Sequence, residues 1–239
     1  MEKHKKVKKL ELIEKNPKDI RNLFDRIAPQ YDRNNTIISL GLHILVKKSL
    51  VNSLNIASGE KILDACCGTG DISKLIKKRW SMAEVTGADF SEEMLKIARN
   101  RVKDVNFVKA DMTDLPFIDE IFDKVVMSFG LRNIKDYGKA LDEVWRVLKH
   151  GGEFVHLDFG QKVAISKIFD FITRIACKTL FKEGKSYEYL IQSKRDFFPP
   201  DQLIKEIENH GFSIVGRKDF LFGIISFQVL RKVTKLHIT

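Results

Sequence analysis

The segment Lys61–Arg79 constrains the fold more than any other part of the sequence. Lys61–Ala65 (KILDA) is a short apolar run, Cys66-Cys67-Gly68-Thr69-Gly70 is a glycine turn, and Asp71–Arg79 suits a helix. A strand feeding a helix through a glycine turn is the unit from which open, doubly wound α/β sheets are built. The pattern then repeats. Glu84–Asp89 (EVTGAD) reads as a second strand and SEEMLKIARNR as its helix, with Ser91 as cap, Glu92 and Glu93 in the first turn and Arg99 and Arg101 in the last. Val105–Lys109, Phe122–Ser128 (FDKVVMS) and Glu153–Asp158 (EFVHLD) are further strand candidates. Asp136–Lys149 puts Ala140, Leu141, Val144, Val147 and Leu148 on one helical face, with His150-Gly151-Gly152 as the stop. Strands alternating with helices at this spacing predict a parallel sheet covered on both faces.

The flanks read as helical additions. Asn16-Pro17 is expected to cap and open a helix whose Ile20, Leu23, Phe24 and Ile27 recur at helical spacing. A second helical stretch is expected from about Asn35 to Leu54, weakened by Gly41. Val163–Lys182 reads as an amphipathic helix with Ile165, Ile168, Phe169, Ile172, Ile175 and Ala176 on its apolar stripe and Lys167, Arg174 and Lys178 opposite. Phe212–Lys218 and Phe222–Arg231 are expected to form a closing pair of strands. The chain of 239 residues is expected to be one domain in three parts: a helical cap over 1–57, a cofactor-binding core over 58–160, and substrate-side helices with closing strands over 161–239.

Charge follows the same division. Residues 1–59 carry 12 Lys and Arg against 6 Asp and Glu, residues 60–160 carry 16 against 18, and residues 161–239 carry 14 against 8. The basic excess therefore lies in the flanks, where it suits nucleic acid, an anionic membrane surface or plain solvation. No apolar run is long enough to span a bilayer, and the basic start lacks the apolar stretch of a secretory signal. Cys66, Cys67 and Cys177 are an odd set that suits a reducing cytoplasm. His4, His43, His150, His156, His210 and His237 show no metal-ligand spacing, so no metal is expected.

The chemistry centres on carboxylates. Gly68 and Gly70 make a G-x-G turn, but the third glycine of a dinucleotide fingerprint falls at Ser73. Asp64 and Asp71 bracket the turn, and two carboxylates there oppose a pyrophosphate while attracting a methionine ammonium and a sulfonium. The expectation is S-adenosylmethionine in place of NAD. Asp89 ends the second strand, where an acid accepts both ribose hydroxyls. Asp111 follows the third strand, placed to take an adenine amino group while Met112 packs on the ring. Three aspartates at three successive strand ends match the place where open α/β sheets bind ligands.

LDACCGTGD (63–71), GADFSEEML (87–95), KADMTDLPF (109–117), SFGLRN (128–133) and RVLKHGG (146–152) together resemble the ubiquinone/menaquinone biosynthesis C-methyltransferase family, of the demethylmenaquinone methyltransferase type. The similarity reaches back through FDRIAPQYD (24–32) and SLGLH (39–43) and forward through SYEYL (186–190) and HGF (210–212), nearly the whole chain. The pairing of SFGLRN with SLGLH is its most specific part. The resemblance implies a Rossmann-like class I methyltransferase with a seven-stranded, mostly parallel sheet whose last strand is antiparallel. It implies cofactor contacts at Thr69, Asp89, Asp111, Met112 and Ser128, and methyl transfer to a ring carbon of a polyprenylated quinol, demethylmenaquinol or the ubiquinone-pathway benzoquinol. Departures are Val46 where the family often has Trp, Asp158 where it often has Glu, and Lys185 where an acid often stands.

Carbon methylation needs an activated ring carbon, which a neighbouring phenolate provides. Arg132, beside Asn133 just past the fourth strand, is the expected stabiliser of that phenolate, with Asp158, Tyr187 and Tyr189 as partners. His156 is expected to point elsewhere or pack internally, and Phe169, Phe171 and Phe181 to line a lipid-tail channel. A prenylated substrate further implies a cytoplasmic protein docked transiently on the anionic inner face of the membrane through the 163–182 helix. A homodimer is compatible with all of this. An RNA methyltransferase is disfavoured for want of stacking aromatics among the basic residues, so no nucleic-acid partner is expected. A silent binding protein is disfavoured by the intact glycine turn and its aspartates.

Overall fold

The computed structural model describes residues 16–160 and 184–233, apart from the side chains of 184–188. The expected helix Val163–Lys182, its three phenylalanines and Cys177 lie outside the described residues.

The core is a seven-stranded sheet of β1 (Lys61–Ala65), β2 (Glu84–Asp89), β3 (Asn106–Lys109), β4 (Phe122–Ser128), β5 (Leu148–Phe159), β6 (Phe212–Phe220) and β7 (Ile225–Lys232), in the order β3-β2-β1-β4-β5-β7-β6. Neighbours from β3 to β5 are parallel, and β7 runs antiparallel to both β5 and β6. The strand order reverses between β1 and β4, which is where such sheets leave a crevice above their carboxyl ends.

Strand alternation sends residues to two opposite layers. Leu63, Ala65, Val125 and Met127 pack beneath Ala140, Leu141, Val144 and Val147 of one helix and Leu203 and Ile207 of another. Ile62, Val126, Val155 and Leu157 face the other way, against Val46, Leu50, Ile72 and Ile76. These helices are α3 (Leu42–Ser53), α4 (Asp71–Arg79), α6 (Tyr137–Val147) and α8 (Pro200–Asn209); the remaining helices are α1 (Pro17–Ile27), α2 (Tyr31–Ser39), α5 (Glu92–Arg101) and α7 (Gly184–Asp196). The caps expected at Asn16 and Ser91 form, and Asp136 caps a third helix. Asn16 accepts the Lys18 N–H at 3.0 Å, Ser91 the Met94 N–H at 3.2 Å, and Asp136 the Lys139 N–H at 3.0 Å.

Two expectations need correction. The single helical stretch over Asn35–Leu54 is two helices, because Leu40 and Gly41 take left-handed backbone with φ of 50° and 78°. Gly41 supplies the break and Leu40 bears the strain. The helix expected to run to Lys149 ends at Val147, and Leu148 already pairs with Phe122 as the first residue of β5. Both side chains are buried, so burial in the sheet wins over the helical period. The closing hairpin turns at Leu221 and Phe222, both at positive φ.

Candidate active site

The turn after β1 is a run of left-handed residues, Cys66 (φ 57°), Gly68 (53°) and Gly70 (79°). It is pinned by the Cys67 N–H to Ala88 O and the Gly70 N–H to Cys67 O, at 3.0 and 2.9 Å. Gly70 serves packing as well, since a Cβ there would lie 3.2 Å from Ala98 Cβ and Phe107 Cζ. At Gly68 a Cβ would meet no atom within 4 Å, so the backbone borders open space.

That space is a cavity of about 200 Å³ lined by Gly68, Asp89, Asp111, Met112, Ser128 and Asn133, with Phe90, Phe24 and Tyr31 completing its walls. Asp89 ties the crevice together. Its Oδ2 accepts the Gly68 N–H at 2.8 Å and its Oδ1 the Ser91 N–H at 2.9 Å. Burial pushes its carboxyl up to about 6 against the pull of these amides. Asp111 is held by Thr113 through backbone N–H and hydroxyl at 2.9 and 2.8 Å. Met112 is buried beside it, and the buried Ser128 Oγ has no partner.

The remaining residues expected at the cofactor are turned elsewhere. Asp64 is buried under α4 and accepts both the N–H and the hydroxyl of Ser73, at 2.9 and 2.6 Å. It thereby satisfies one of the orphan amides of that helix N-terminus, and burial raises its carboxyl to about 7. Burial would also raise Asp71, but Lys47 and Arg101 outweigh it and hold it below its ordinary value. Thr69 donates its hydroxyl to Asp32 at 2.7 Å and, like Gly70 and Asp64, does not line the cavity. The two carboxylates read as attracting a cation are therefore engaged, and the acids that line the crevice are Asp89, Asp111 and, at its edge, the α6 cap Asp136.

A second polar cluster adjoins it. The turn Leu131–Asn133 buries Arg132, whose Nη1 donates to Phe129 O at 2.6 Å and to Asp158 Oδ1 at 2.8 Å. Its guanidinium also stacks 5.6 Å from the Phe129 ring and 5.1 Å from Phe159. Asn133 Nδ2 shares the Phe129 carbonyl at 3.2 Å. The turn comes close to β1, where a Cβ on Gly130 would lie 2.6 Å from Cys66 Cβ. Tyr189 packs from α7, and burial pushes its phenol up to about 12, opposed by Arg132. Tyr187 lies on α7 with its side chain outside the described residues.

His156 corrects the expectation that it points away. Residues two apart on a strand share a face, and its Nε2 stands 4.0 Å from Asp158 Oδ2. Packing was foreseen correctly, for the ring is fully buried. Among the described residues, the buried polar atoms with no partner are Arg132 Nε, Asn133 Oδ1, Ser128 Oγ, Asp158 Oδ2, His156 Nε2 and Tyr189 Oη. Such a concentration of unmet hydrogen-bonding capacity marks a place built for a polar ligand or for proton handling.

A larger, mainly apolar cavity of about 350 Å³ adjoins the crevice and is lined by Arg132 with Ile38, Leu42, Phe159, Leu190 and Ile224. Tyr31 and Phe129 belong to both cavities. Tyr31 and Asp32 were not singled out from sequence, although FDRIAPQYD carried them; nothing local indicates that α2 closes over the crevice.

A model of the ubiE/COQ5 methyltransferase family matches residues 11–232. A demethylmenaquinone methyltransferase of Listeria welshimeri is 35% identical over 216 residues, covering 85% of this chain and 92% of that protein. One from Staphylococcus haemolyticus is 36% identical over 220 residues, covering 88% and 92%. Among solved structures, an S-adenosylmethionine-dependent methyltransferase from Thermotoga maritima superposes with a TM-score of 0.67 at 20% identity, covering 90% of this chain and 100% of that one. Another from Aquifex aeolicus gives 0.61 at 15% identity, covering 91% and 99%. The solved structures share the fold.

Proposed function

The chain belongs to the ubiE/COQ5 methyltransferase family of S-adenosylmethionine-dependent methyltransferases, and from that premise we propose that it methylates a ring carbon of a polyprenylated quinol, converting demethylmenaquinol to menaquinol. The observation that carries the substrate class is the meeting of two cavities at Tyr31 and Phe129. The Asp89 crevice, where Ser128 Oγ and Asn133 Oδ1 have no partner among the described residues, there adjoins a larger, mainly apolar cavity lined by Arg132, which suits a hydroxylated ring on a long apolar tail. The relatives in Listeria and Staphylococcus, named for demethylmenaquinone, favour the naphthoquinol over the benzoquinol.

The residues present fit S-adenosylmethionine in the Asp89 crevice. The Asp89 carboxylate suits two ribose hydroxyls, Asp111 and Met112 suit the adenine amino group and ring, and the free Ser128 Oγ and the open face of Gly68 suit the amino-acid part. Bound there, the cofactor supplies an electrophilic methyl group on a sulfonium. The protein's part is to present an electron-rich carbon in line with it. Arg132 keeps Nε free to donate to the substrate oxygen, and its positive charge favours the phenolate whose adjacent carbon attacks. The ring C–H proton leaves as the ring regains aromaticity, so one proton is released for each methyl transferred. The experiment is incubation with demethylmenaquinol and with the corresponding benzoquinol, reading products by mass spectrometry. Methylated naphthoquinol is expected, and methylation of the benzoquinol alone would transfer the reading to the other pathway.

Such a substrate must be collected from a bilayer. Among the described residues no helix is long and apolar enough to cross one. Leu40 and Phe222 are each 87% exposed, on left-handed turns whose neighbours Ser39, Leu42, Leu221 and Ile224 line the apolar cavity. These turns suit a lipid-docking rim at the cytoplasmic face, and the basic flanks of the sequence suit an anionic lipid surface. Each flanking Lys or Arg near an anionic leaflet adds about 1 kcal/mol of attraction, which salt weakens. Co-sedimentation is expected with phosphatidylglycerol vesicles at low salt, to decline at high salt, and to be weakened by joint Leu40→Ser and Phe222→Ser substitution. Equal binding to neutral and anionic vesicles, or none to either, would remove the electrostatic docking.

A further inference from the structure

The methyl-transfer reading leaves one buried titratable group unused. His156 sits on β5 with its ring between Phe154 and Phe197, at centroid distances of 5.9 and 6.4 Å, and no part of it reaches solvent. Its Nδ1 stands 3.1 Å from Gln228 Oε1. The amide of Gln228 is oriented by its own hydrogen bond, for Nε2 donates to Ser226 Oγ at 2.9 Å. A carbonyl oxygen only accepts, so the ring proton of a neutral His156 sits on Nδ1 and Nε2 carries a bare lone pair. That lone pair faces Asp158 Oδ2 across 4.0 Å, and neither atom has another partner among the described residues.

Two bare lone pairs facing each other at a buried site repel, and a single proton between them turns repulsion into attraction. The other oxygen of Asp158 is spent on Arg132 Nη1 and on the Phe159 N–H, both at 2.8 Å. We propose that Asp158 Oδ2 and His156 Nε2 form a one-proton store, which takes up the hydroxyl proton of the substrate and so makes the Arg132 charge available to the phenolate.

The balance is simple. With the pair empty, Asp158 neutralises Arg132, and a phenolate beside them would be an extra buried anion. When the substrate O–H bond breaks and its proton passes by way of water to the pair, Arg132 faces one anion as before. The ring carbon then forms its new bond to the methyl group as the donor's carbon–sulfur bond breaks, its own proton is released to bulk water, and the oxygen regains the stored one. His156 touches neither substrate nor cofactor; it is a positioning residue acting through Asp158. Among the described residues, the charged groups that act on it are Asp158 on its own strand and Arg132 from the Leu131–Asn133 turn. Gln228 and Ser226 on β7 and the two rings are neutral. Burial holds the imidazole below its ordinary value, against the pull of Asp158, which disfavours a proton resting on Nε2.

This inference rests on the quinol reading, and its test is chosen to separate the two. The rate of methyl transfer at saturating quinol and cofactor is measured across pH for the wild type and for His156→Leu, which removes the lone pair at similar volume. The wild type should lose activity on the acid side with the titration of the pair. In the variant that limb should move down by about one pH unit, because the stored proton has lost its second partner, and the plateau should fall about tenfold. A uniform loss at all pH values, with the limb unmoved, would mean a packing role only and would overturn the store. Nitrogen NMR of the imidazole in the wild type decides the same point without substrate or variant. A proton on Nδ1 with a bare Nε2 is expected, and a proton on Nε2 overturns the proposal even if the enzyme methylates quinols well. Conversely, the expected tautomer in a protein that methylates no quinol would refute the substrate reading and leave the pair standing.

Discussion

Replacing Arg132 by alanine should lower the rate of methyl transfer by roughly a hundredfold or more, as removal of a preorganised charge at a reacting oxygen does elsewhere. Cofactor affinity should hardly change, because Arg132 does not line the Asp89 crevice. The substitution also strands Asp158, which is only 1% exposed, and breaking a buried pair costs about 3–5 kcal/mol of stability. The fall in rate could then be confused with a fall in folded protein, so a second variant is needed. Joint Arg132→Leu and Asp158→Leu removes both charges and should recover much of the stability without recovering turnover. Arg132→Lys should rescue poorly, since a point charge cannot bridge Phe129 O and Asp158 while stacking on two rings. Initial rates at saturating substrates, thermal denaturation and calorimetric titration of the cofactor together decide the matter. An alanine variant with normal turnover would move the role to Asp158 or the tyrosines.

Asp89→Ala should weaken S-adenosylmethionine binding by at least roughly a hundredfold, because two hydrogen bonds to a charged acceptor contribute about 1.5–3 kcal/mol each. The loss is compounded by the free protein itself. Asp89 holds the Gly68 and Ser91 amides, so its removal also loosens the turn that shapes the crevice. A pH dependence follows with a definite sign. Burial sets the Asp89 carboxyl at about 6 in the protein alone, and the ribose hydroxyls need the charged form. Affinity should be full above that value and decline as pH falls through it, with proton release on binding near pH 6. Calorimetry in buffers of different ionisation enthalpy measures both. Unchanged affinity in the alanine variant would exclude Asp89 from the ribose.

Local rules explain which features were legible. Asn16, Ser91 and Asp136 cap helices because a short polar side chain can reach an orphan amide within three residues, a relation contained wholly in the sequence. Alternation sends Ile62 and Leu63 to opposite layers for the same reason. The two-residue spacing of His156 and Asp158 was equally legible as a shared face, and the expectation that they diverge ignored it. The end of α6 at Val147 was not legible, since Leu148 fits the helical stripe as well as the strand and only its pairing with Phe122 decides.

The amino-acid sequence by itself determined the doubly wound sheet, the glycine turn and the set of acids at its strand ends, since periodicity and turn chemistry act over a few residues. The tertiary structure alone decided which of those acids serves what. Asp64 and Asp89 look alike in sequence, yet one lies under α4 satisfying Ser73 while the other borders the crevice, because each lies at a different height on its strand and meets a different helix. Asp71 is neutralised by Lys47 from 24 residues before it and Arg101 from 30 residues after it. The cluster of Arg132, Asp158, His156 and Tyr189 is likewise assembled from β4's following turn, β5 and α7. Carboxylate and imidazole chemistry depends on burial and on neighbours a few ångströms away. Those neighbours come from distant parts of the chain and exist only once the sheet has closed.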